Sequence, residues 1–262
     1  MDLNLSGKRA LVCGSTQGIG LACAQELARL GADVTLMARN ADELPTAVAS
    51  LSNNGQQQHD TLCADFTRVD DVHKAITNYI ANGNAIQILI NNTGGPAPGP
   101  ANSAKLDDFL AAFSQHLLCN QTLVQAVLPG MKATAYGRII NVISTSVKQP
   151  IPNLGVSNTV RGAVANWAKT LAGELGPFGI TVNNVLPGAT KTGRLDAVFA
   201  NKAQKSGLSI EQVQEEEKLA IPLRRFAEPS EFANAVAFLA SPAAAYITGI
   251  NLPIDGGRTL SL

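Results

Sequence analysis

Residues 9–20 read Arg9-Ala10-Leu11-Val12-Cys13-Gly14-Ser15-Thr16-Gln17-Gly18-Ile19-Gly20, and beyond them Cys23, Leu27 and Leu30 recur at three-to-four spacing before Gly31. The opening run is apolar without alternation, as in a parallel strand covered on both faces. The spacing that follows is helical, and Gly31 stands where a helix C-cap belongs. Between them lies a glycine-rich turn. One glycine permits the tight turn, a second lets backbone approach a pyrophosphate, and a third lets helix and strand pack closely. The N–H groups at the helix start then point at the anion. The spacing is Gly-x3-Gly-x-Gly rather than Gly-x-Gly-x-x-Gly, and glycine-rich strand–helix turns also occur without a ligand.

Further apolar runs at 34–38, 86–90, 138–143 and 180–186 read as strands, with weaker ones at 58–64 and 249–254. Helical patterns at 41–52, 69–82, 105–134, 156–175 and 229–240 fill the gaps. Strand–helix alternation of this kind predicts an α/β fold: a doubly wound parallel sheet of about seven strands with helices on both faces. Residues 191–226 depart from the pattern, being charged and mixed with Glu215, Glu216 and Glu217 in a row, and read as a helical excursion forming a substrate lid. In open sheets of this type ligands sit beyond the carboxyl ends of the strands.

At 262 residues, with 45% hydrophobic and 15% charged side chains, the chain has the apolar content for one large domain over 1–262 and not for a disordered state. Twenty basic residues balance twenty acidic ones. That balance argues against a nucleic-acid partner and against a polybasic membrane anchor. No apolar run reaches the roughly 18 residues of a spanning helix, and the start has no basic region before an apolar one. A cytoplasmic protein is the expectation. Cys13, Cys23, Cys63 and Cys119 show no Cys-x-x-Cys spacing and read as reduced, and His59, His73 and His116 form no metal motif, so no metal is expected.

The second strand ends at Ala38-Arg39. In dinucleotide folds this point faces the adenosine ribose, where an acid accepts from the hydroxyls and an arginine meets a 2′-phosphate. With no acid at Ala38, NADP(H) is favoured over NAD(H), although Arg39 also reads as an ordinary surface arginine.

Here the chain resembles the short-chain dehydrogenase/reductase family, and its β-ketoacyl-reductase-like members in particular, over nearly its whole length. Gly14, Ser15, Thr16, Gln17, Gly18, Ile19 and Gly20 match the family's glycine motif, with Cys13 where Thr is usual. Ala64-Asp65-Phe66 resembles its adenine-contacting step. Asn91-Asn92-Thr93-Gly94 resembles its Asn-Asn-Ala-Gly signature. Pro187-Gly188-Ala189-Thr190-Lys191-Thr192 resembles the segment whose last Thr holds the nicotinamide amide, and Ile254-Asp255-Gly256-Gly257 its C-terminal motif. The resemblance implies a single Rossmann domain that binds NAD(P) through these residues and acts on a carbonyl or alcohol, including a 3-oxoacyl group.

The family's active site uses Asn, Ser, Tyr and Lys. Aligned on Gly137-Arg138-Ile139-Ile140, Ser144 takes the Ser position, Ser157 the Tyr position, Arg161 the Lys position and His116 the Asn position. Three of the four are changed. An alkyl hydroxyl is a far weaker acid than a phenol of pKa about 10. Arg161 keeps the positive field and can hold ribose hydroxyls, but does not exchange protons. His116, with an ordinary pKa near 6.5, is a candidate general acid, or else a buried helix histidine. Ser144 is a candidate for polarising a carbonyl, and Lys148 for supplying a proton or meeting an anion. Cys119 could pair with His116. Lys191, Arg194, Arg224 and Arg225 flank the lid, and Trp167 reads as packing. Three functions stay open: an NADP-dependent oxidoreductase with rewired acid–base chemistry, a cofactor-binding pseudoenzyme serving as sensor or scaffold, and a non-redox enzyme on the same fold. The resemblance also implies a homodimer or homotetramer through helices near 105–134 and 156–175.

Overall fold

The computed structural model describes residues 1–261. Seven strands, β1 (Arg9–Cys13), β2 (Asp33–Ala38), β3 (Asp60–Cys63), β4 (Ile88–Asn91), β5 (Gly137–Val142), β6 (Ile180–Pro187) and β7 (Asn251–Ile254), form one sheet in the order β3-β2-β1-β4-β5-β6-β7. Every pairing is parallel. Among the described residues nine α-helices connect and cover them: α1 (Gly18–Arg29), α2 (Leu44–Ala49), α3 (Val69–Ala81), α4 (Leu106–Phe113), α5 (Cys119–Ala133), α6 (Gly155–Leu175), α7 (Gly193–Ser206), α8 (Ile210–Leu219) and α9 (Pro229–Ala240). This is the Rossmann-type α/β arrangement expected from the alternating pattern.

The continuous apolar runs form strands because both faces of the sheet are covered. One face packs on α1, α2 and α9 through Cys23, Leu27, Leu44, Phe232 and Val236. The other packs on α3, α5 and α6 through Val72, Ile76, Leu123, Val127, Ala168 and Leu171. Each fully buried leucine or isoleucine side chain contributes about 1.5–3 kcal/mol. The order reverses between β1 and β4: the chain leaves β1 towards β2 and β3, then returns to β4 on the other side of β1. That reversal opens a crevice beyond the strands' carboxyl ends.

A buried amide ladder fixes the register beside this crevice. Asn91 Nδ2 donates to Asn141 Oδ1 (2.8 Å), Asn141 Nδ2 to Asn184 Oδ1 (2.9 Å), and Asn184 Nδ2 to Asn251 Oδ1 (2.8 Å). These residues are directly paired on β4, β5, β6 and β7. Each amide donates to the next, with Asn91 Oδ1 at the head of the ladder left without a partner, and a slip of one strand would strand several more buried polar groups at once.

Two elements differ from expectation. The helix predicted over 105–134 is broken by a π-helical segment, Ser114–Leu118, between α4 and α5. The excursion at 191–226 contains α7 and α8, which close around their own apolar cluster of Phe199, Val213, Ile221 and Phe226. Both of its ends are tied together, since Lys191 N donates to Ala227 O (2.9 Å) and Ala227 N to Ala189 O (3.0 Å).

Candidate active site

The turn from β1 into α1 is shaped by what it excludes. Gly14 and Gly18 both take φ of +58°, a left-handed conformation that favours glycine. A Cβ on Gly20 would lie 2.1 Å from Gly14 O, and one on Gly14 would lie 2.6 Å from Asn92 O. The Asn92 amide donates to the carbonyls of Cys13 and Gly14 (3.2 Å each), joining β4 to the turn. Gln17 caps α1 without a side-chain bond, and no acid occupies the helix's first turn. Ser15 Oγ is buried and has no hydrogen-bond partner. A helix start with its N–H groups uncapped, an orphaned hydroxyl and a cradle that any Cβ would fill together fit a dinucleotide's phosphates. Thr16 and Ile19 complete the turn.

At the end of β2, Ala38 is buried and Arg39 exposed. Asp65, past β3, accepts from Thr67 N (2.9 Å), which holds its carboxyl below the usual range with help from Arg39 and Arg68. Arg39 and Asp65 thus sit close together beyond the ends of β2 and β3. Phe66 packs into the core, and its carbonyl accepts from Cys119 Sγ (3.3 Å). Burial, with the nearby Asp65 charge, pushes that thiol up to about 11. Cys119 is therefore bonded to backbone and does not form the thiol–imidazole pair considered from the sequence.

A cleft of about 550 Å³ opens beyond β4, β5 and β6. Of the residues named for the cofactor, Ile19, Asn92, Thr93, Arg161, Pro187, Gly188, Thr190 and Thr192 line it. Gly94 lies just beyond this lining, where its carbonyl accepts from Gln115 Nε2 (3.2 Å). Thr192 also faces the cradle: a Cβ on Gly18 would come within 3.3 Å of its methyl carbon.

Ser144 and Ser157 line the same cleft. Ser144 Oγ accepts from Ser146 N (3.1 Å), which leaves its own O–H free to donate. Arg161, on α6, is 7% exposed and donates Nη1 to Val142 O (3.1 Å). Burial, then the charge of Arg194, brings its guanidinium down to about 10, so it stays cationic at neutral pH. No tyrosine is among the lining residues. Tyr79 bonds Thr35 and Arg9, Tyr136 donates to Ala240 O, and Tyr246 is fully exposed. Lys148 is not a lining residue either.

His116 follows the second of its two sequence readings, the buried helix histidine, and not the general acid. It lies in the π-helical segment, 1% exposed, with Nδ1 2.6 Å from Thr93 Oγ1 and Nε2 buried without a partner. Burial, then the charges of Arg161 and Arg194, pull its pKa down to about 3. An imidazole with that pKa is neutral from weakly acidic pH upward and carries no imidazolium proton to donate. It fixes the Thr93 side chain instead, while Gln115 in the same segment fixes Gly94. Nothing in the apolar spacing signals this widened turn, although such turns concentrate at functional sites.

The charges that flank 191–226 separate into two groups. Lys191 pairs with Glu228, and Arg225 pairs through both Nη atoms with Glu231 (2.7 Å each). Arg224 donates to Leu219 O. Those three are engaged with the protein. Arg194 alone of the four lines the cleft, and its Nη1 donates to Gly95 O (3.3 Å) across it. Trp167 is a packing residue whose Nε1 donates to Gln121 Oε1 (2.8 Å).

A doubly wound sheet with a glycine cradle at its reversal defines a dinucleotide-dependent enzyme class. Comparisons with known proteins sharpen this. Residues 14–259 match the family described as enoyl-(acyl carrier protein) reductase. The chain is 34% identical over 260 residues to 3-oxoacyl-(acyl-carrier-protein) reductase FabG of Vibrio cholerae, covering 97% of this chain and 98% of that one. It is 29% identical over 259 residues to the NADPH-dependent reductase BacG of Bacillus subtilis, covering 98% and 100%. The L-sorbose reductase of Gluconobacter frateurii, solved with NADPH and L-sorbose, superimposes with a TM-score of 0.93 at 29% identity over the whole of both chains. The chain belongs to the short-chain dehydrogenase/reductase family and is a nicotinamide-dependent oxidoreductase of that family.

Proposed function

We propose that the protein interconverts a carbonyl compound and its alcohol with NADP(H), and does so without the Tyr–Lys acid–base pair of its family. The observation that carries this reading is the lining of the cleft: Ser144, Ser157 and Arg161 are there, and no phenol is. Ser157 and Arg161 take the positions that resemble the family's Tyr and Lys. Gly14, Ser15, Thr16, Gln17, Gly18, Ile19 and Gly20 would hold the pyrophosphate, Arg39 and Asp65 the adenosine end, and Asn92, Thr93, Gly94, Pro187, Gly188, Thr190 and Thr192 the nicotinamide half. When bound, the cofactor supplies or accepts the hydride. The protein's part is orientation and charge. Ser144 donates its O–H to the substrate oxygen, and the buried Arg161 cation favours the negative charge that develops there. His116 keeps Thr93 in place. Ser157 is too weak an acid to protonate the oxygen itself, so the proton comes from water in the open cleft. Losing a positioned acid costs about 10²–10⁴ in rate, not all of it.

The two tied ends at Ala189 and Ala227 support residues 191–226 acting as one lid over the cleft. Leu106, Leu110, Phe113 and Leu118 are exposed by 80%, 66%, 40% and 42%, an apolar stripe that supports pairing of two copies. A second reading, a cofactor-binding protein that reduces nothing, draws on the missing phenol and the neutral His116.

The test is reduced-nicotinamide consumption over a panel of aldehydes, ketones and oxo acids. Turnover with NADPH that drops about 10²-fold in Ser144→Ala is the expected result. Nucleotide binding with no turnover on any member favours the second reading.

A further inference from the structure

Two arginines converge on one point of the cleft. The Nη2 atoms of Arg194 and Arg161 lie 2.9 and 3.7 Å from where a Cβ on Gly95 would stand. Gly95 is not one of the glycines with positive φ, so its backbone does not require glycine. The missing side chain leaves room for the two guanidinium groups. Like charges this close repel, and Arg161, unlike the exposed Arg194, is a buried cation that is costly without an anion. Yet among the described residues no carboxylate pairs with either arginine. The one carboxylate lining the cleft, Glu217, is held by Lys202 (3.1 Å) and Arg258 (2.9 Å). Among the described residues Arg161 makes one protein bond, to Val142 O, and Arg194 one, to Gly95 O. Each keeps further N–H donors for the cleft, with Ser144 and Ser157 on the same lining.

We infer that Arg161 and Arg194 form a carboxylate-binding subsite, so that the substrate is an oxo acid or the matching hydroxy acid rather than a neutral sugar, ketone or thioester. This rests on the proposed oxidoreductase reading and names its substrate class. Two guanidinium forks converging beside Gly95 suit the two oxygens of a carboxylate. The subsite shares its cleft with Ser144, so in this reading the acid group is anchored while the carbonyl meets the serine hydroxyl.

The experiment uses matched probes: pyruvate, acetoacetate and levulinate, each against its methyl ester, titrated into the NADP⁺-loaded protein with melting temperature and calorimetric affinity as readouts. At least one acid is expected to bind about tenfold or more tighter than its ester. Arg194→Gln should bring that ratio close to one while leaving NADP⁺ affinity within about twofold, and Arg194→Lys should retain part of the preference. Acids and esters binding alike to the loaded wild type overturns the subsite. So does an Arg194→Gln variant that loses NADP⁺ affinity but keeps the acid preference, because the arginine then serves a cofactor phosphate. Should NADP⁺ itself fail to bind, the oxidoreductase reading falls, and the same titrations on the unloaded protein decide the subsite by themselves.

Discussion

The β1–α1 turn and the first turns of α6 face the same cleft, but the sequence treats them differently. The turn keeps its glycines, and each is needed for shape: a single methyl on Gly20 would collide with Gly14 O at 2.1 Å. In α6, Ser157 and Arg161 stand where the family resemblance implies a phenol and an ammonium. Phosphate binding by backbone N–H groups depends on geometry, so it tolerates almost any side-chain chemistry but no extra volume. Proton transfer depends on one group with the right acidity, and a change of residue type removes it while the fold stays intact.

The sharpest way to break the comparison is to fill the cradle. Gly20→Ala should abolish measurable NADPH binding, a loss of at least about 10²-fold, and should cost about 1–3 kcal/mol of stability from overpacking. Calorimetry and thermal unfolding read the two effects separately, and a variant that binds normally would mean the turn is not the phosphate site.

The converse experiment restores the acid. Ser157→Tyr combined with Arg161→Lys should raise ketone reduction by about 10²-fold or more and introduce a fall in rate at high pH as the phenol ionises. Steady-state kinetics across pH checks this; no gain and no new ionisation would show that the start of α6 does not face the reacting carbonyl.

His116 links the cleft to stability. Its pKa is about 3 in the folded chain and near 6.5 unfolded, so the unfolded state takes up the proton first. Stability from this residue is complete above pH about 6.5 and is lost as pH falls towards about 3, at about 1.4 kcal/mol per pH unit. Wild type should lose more melting temperature between pH 7 and pH 5 than His116→Asn. Equal losses would mean the imidazole is not held neutral.

Arg39→Ala should weaken NADPH by about tenfold and leave NADH unchanged, since only one of them carries the 2′-phosphate. The smallest effect belongs to the start of the 191–226 excursion: Lys191→Ala removes an exposed ion pair with Glu228 and should change stability by about 1 kcal/mol or less.

The sheet was legible because strands buried on both faces leave unbroken apolar runs, and β1, β5 and β6 fall within a residue or so of where those runs lie. The cradle was legible because glycine has few other reasons to recur at such spacing before a helix. Other features depend on contacts between distant residues. The ladder of Asn91, Asn141, Asn184 and Asn251 left one faint signal, an asparagine in each of four neighbouring strands, but it ends β4 and opens β7, so no common place in the strands announces the bonding before the register is known. The burial of His116 follows from a π-helical turn that breaks no sequence rule. The meeting of Arg161 and Arg194 spans α6, β6 and the start of α7, and no local pattern announces it. Gly95, unlike Gly14, is a glycine whose reason lies entirely in its neighbours.

The most direct test of the whole account is calorimetric titration of the wild-type protein with NADPH, NADH, NADP⁺ and NAD⁺. Saturable binding at one nucleotide per chain, tighter for NADPH than for NADH, is the predicted result. No heat of binding and no rise in melting temperature with any of the four would contradict it.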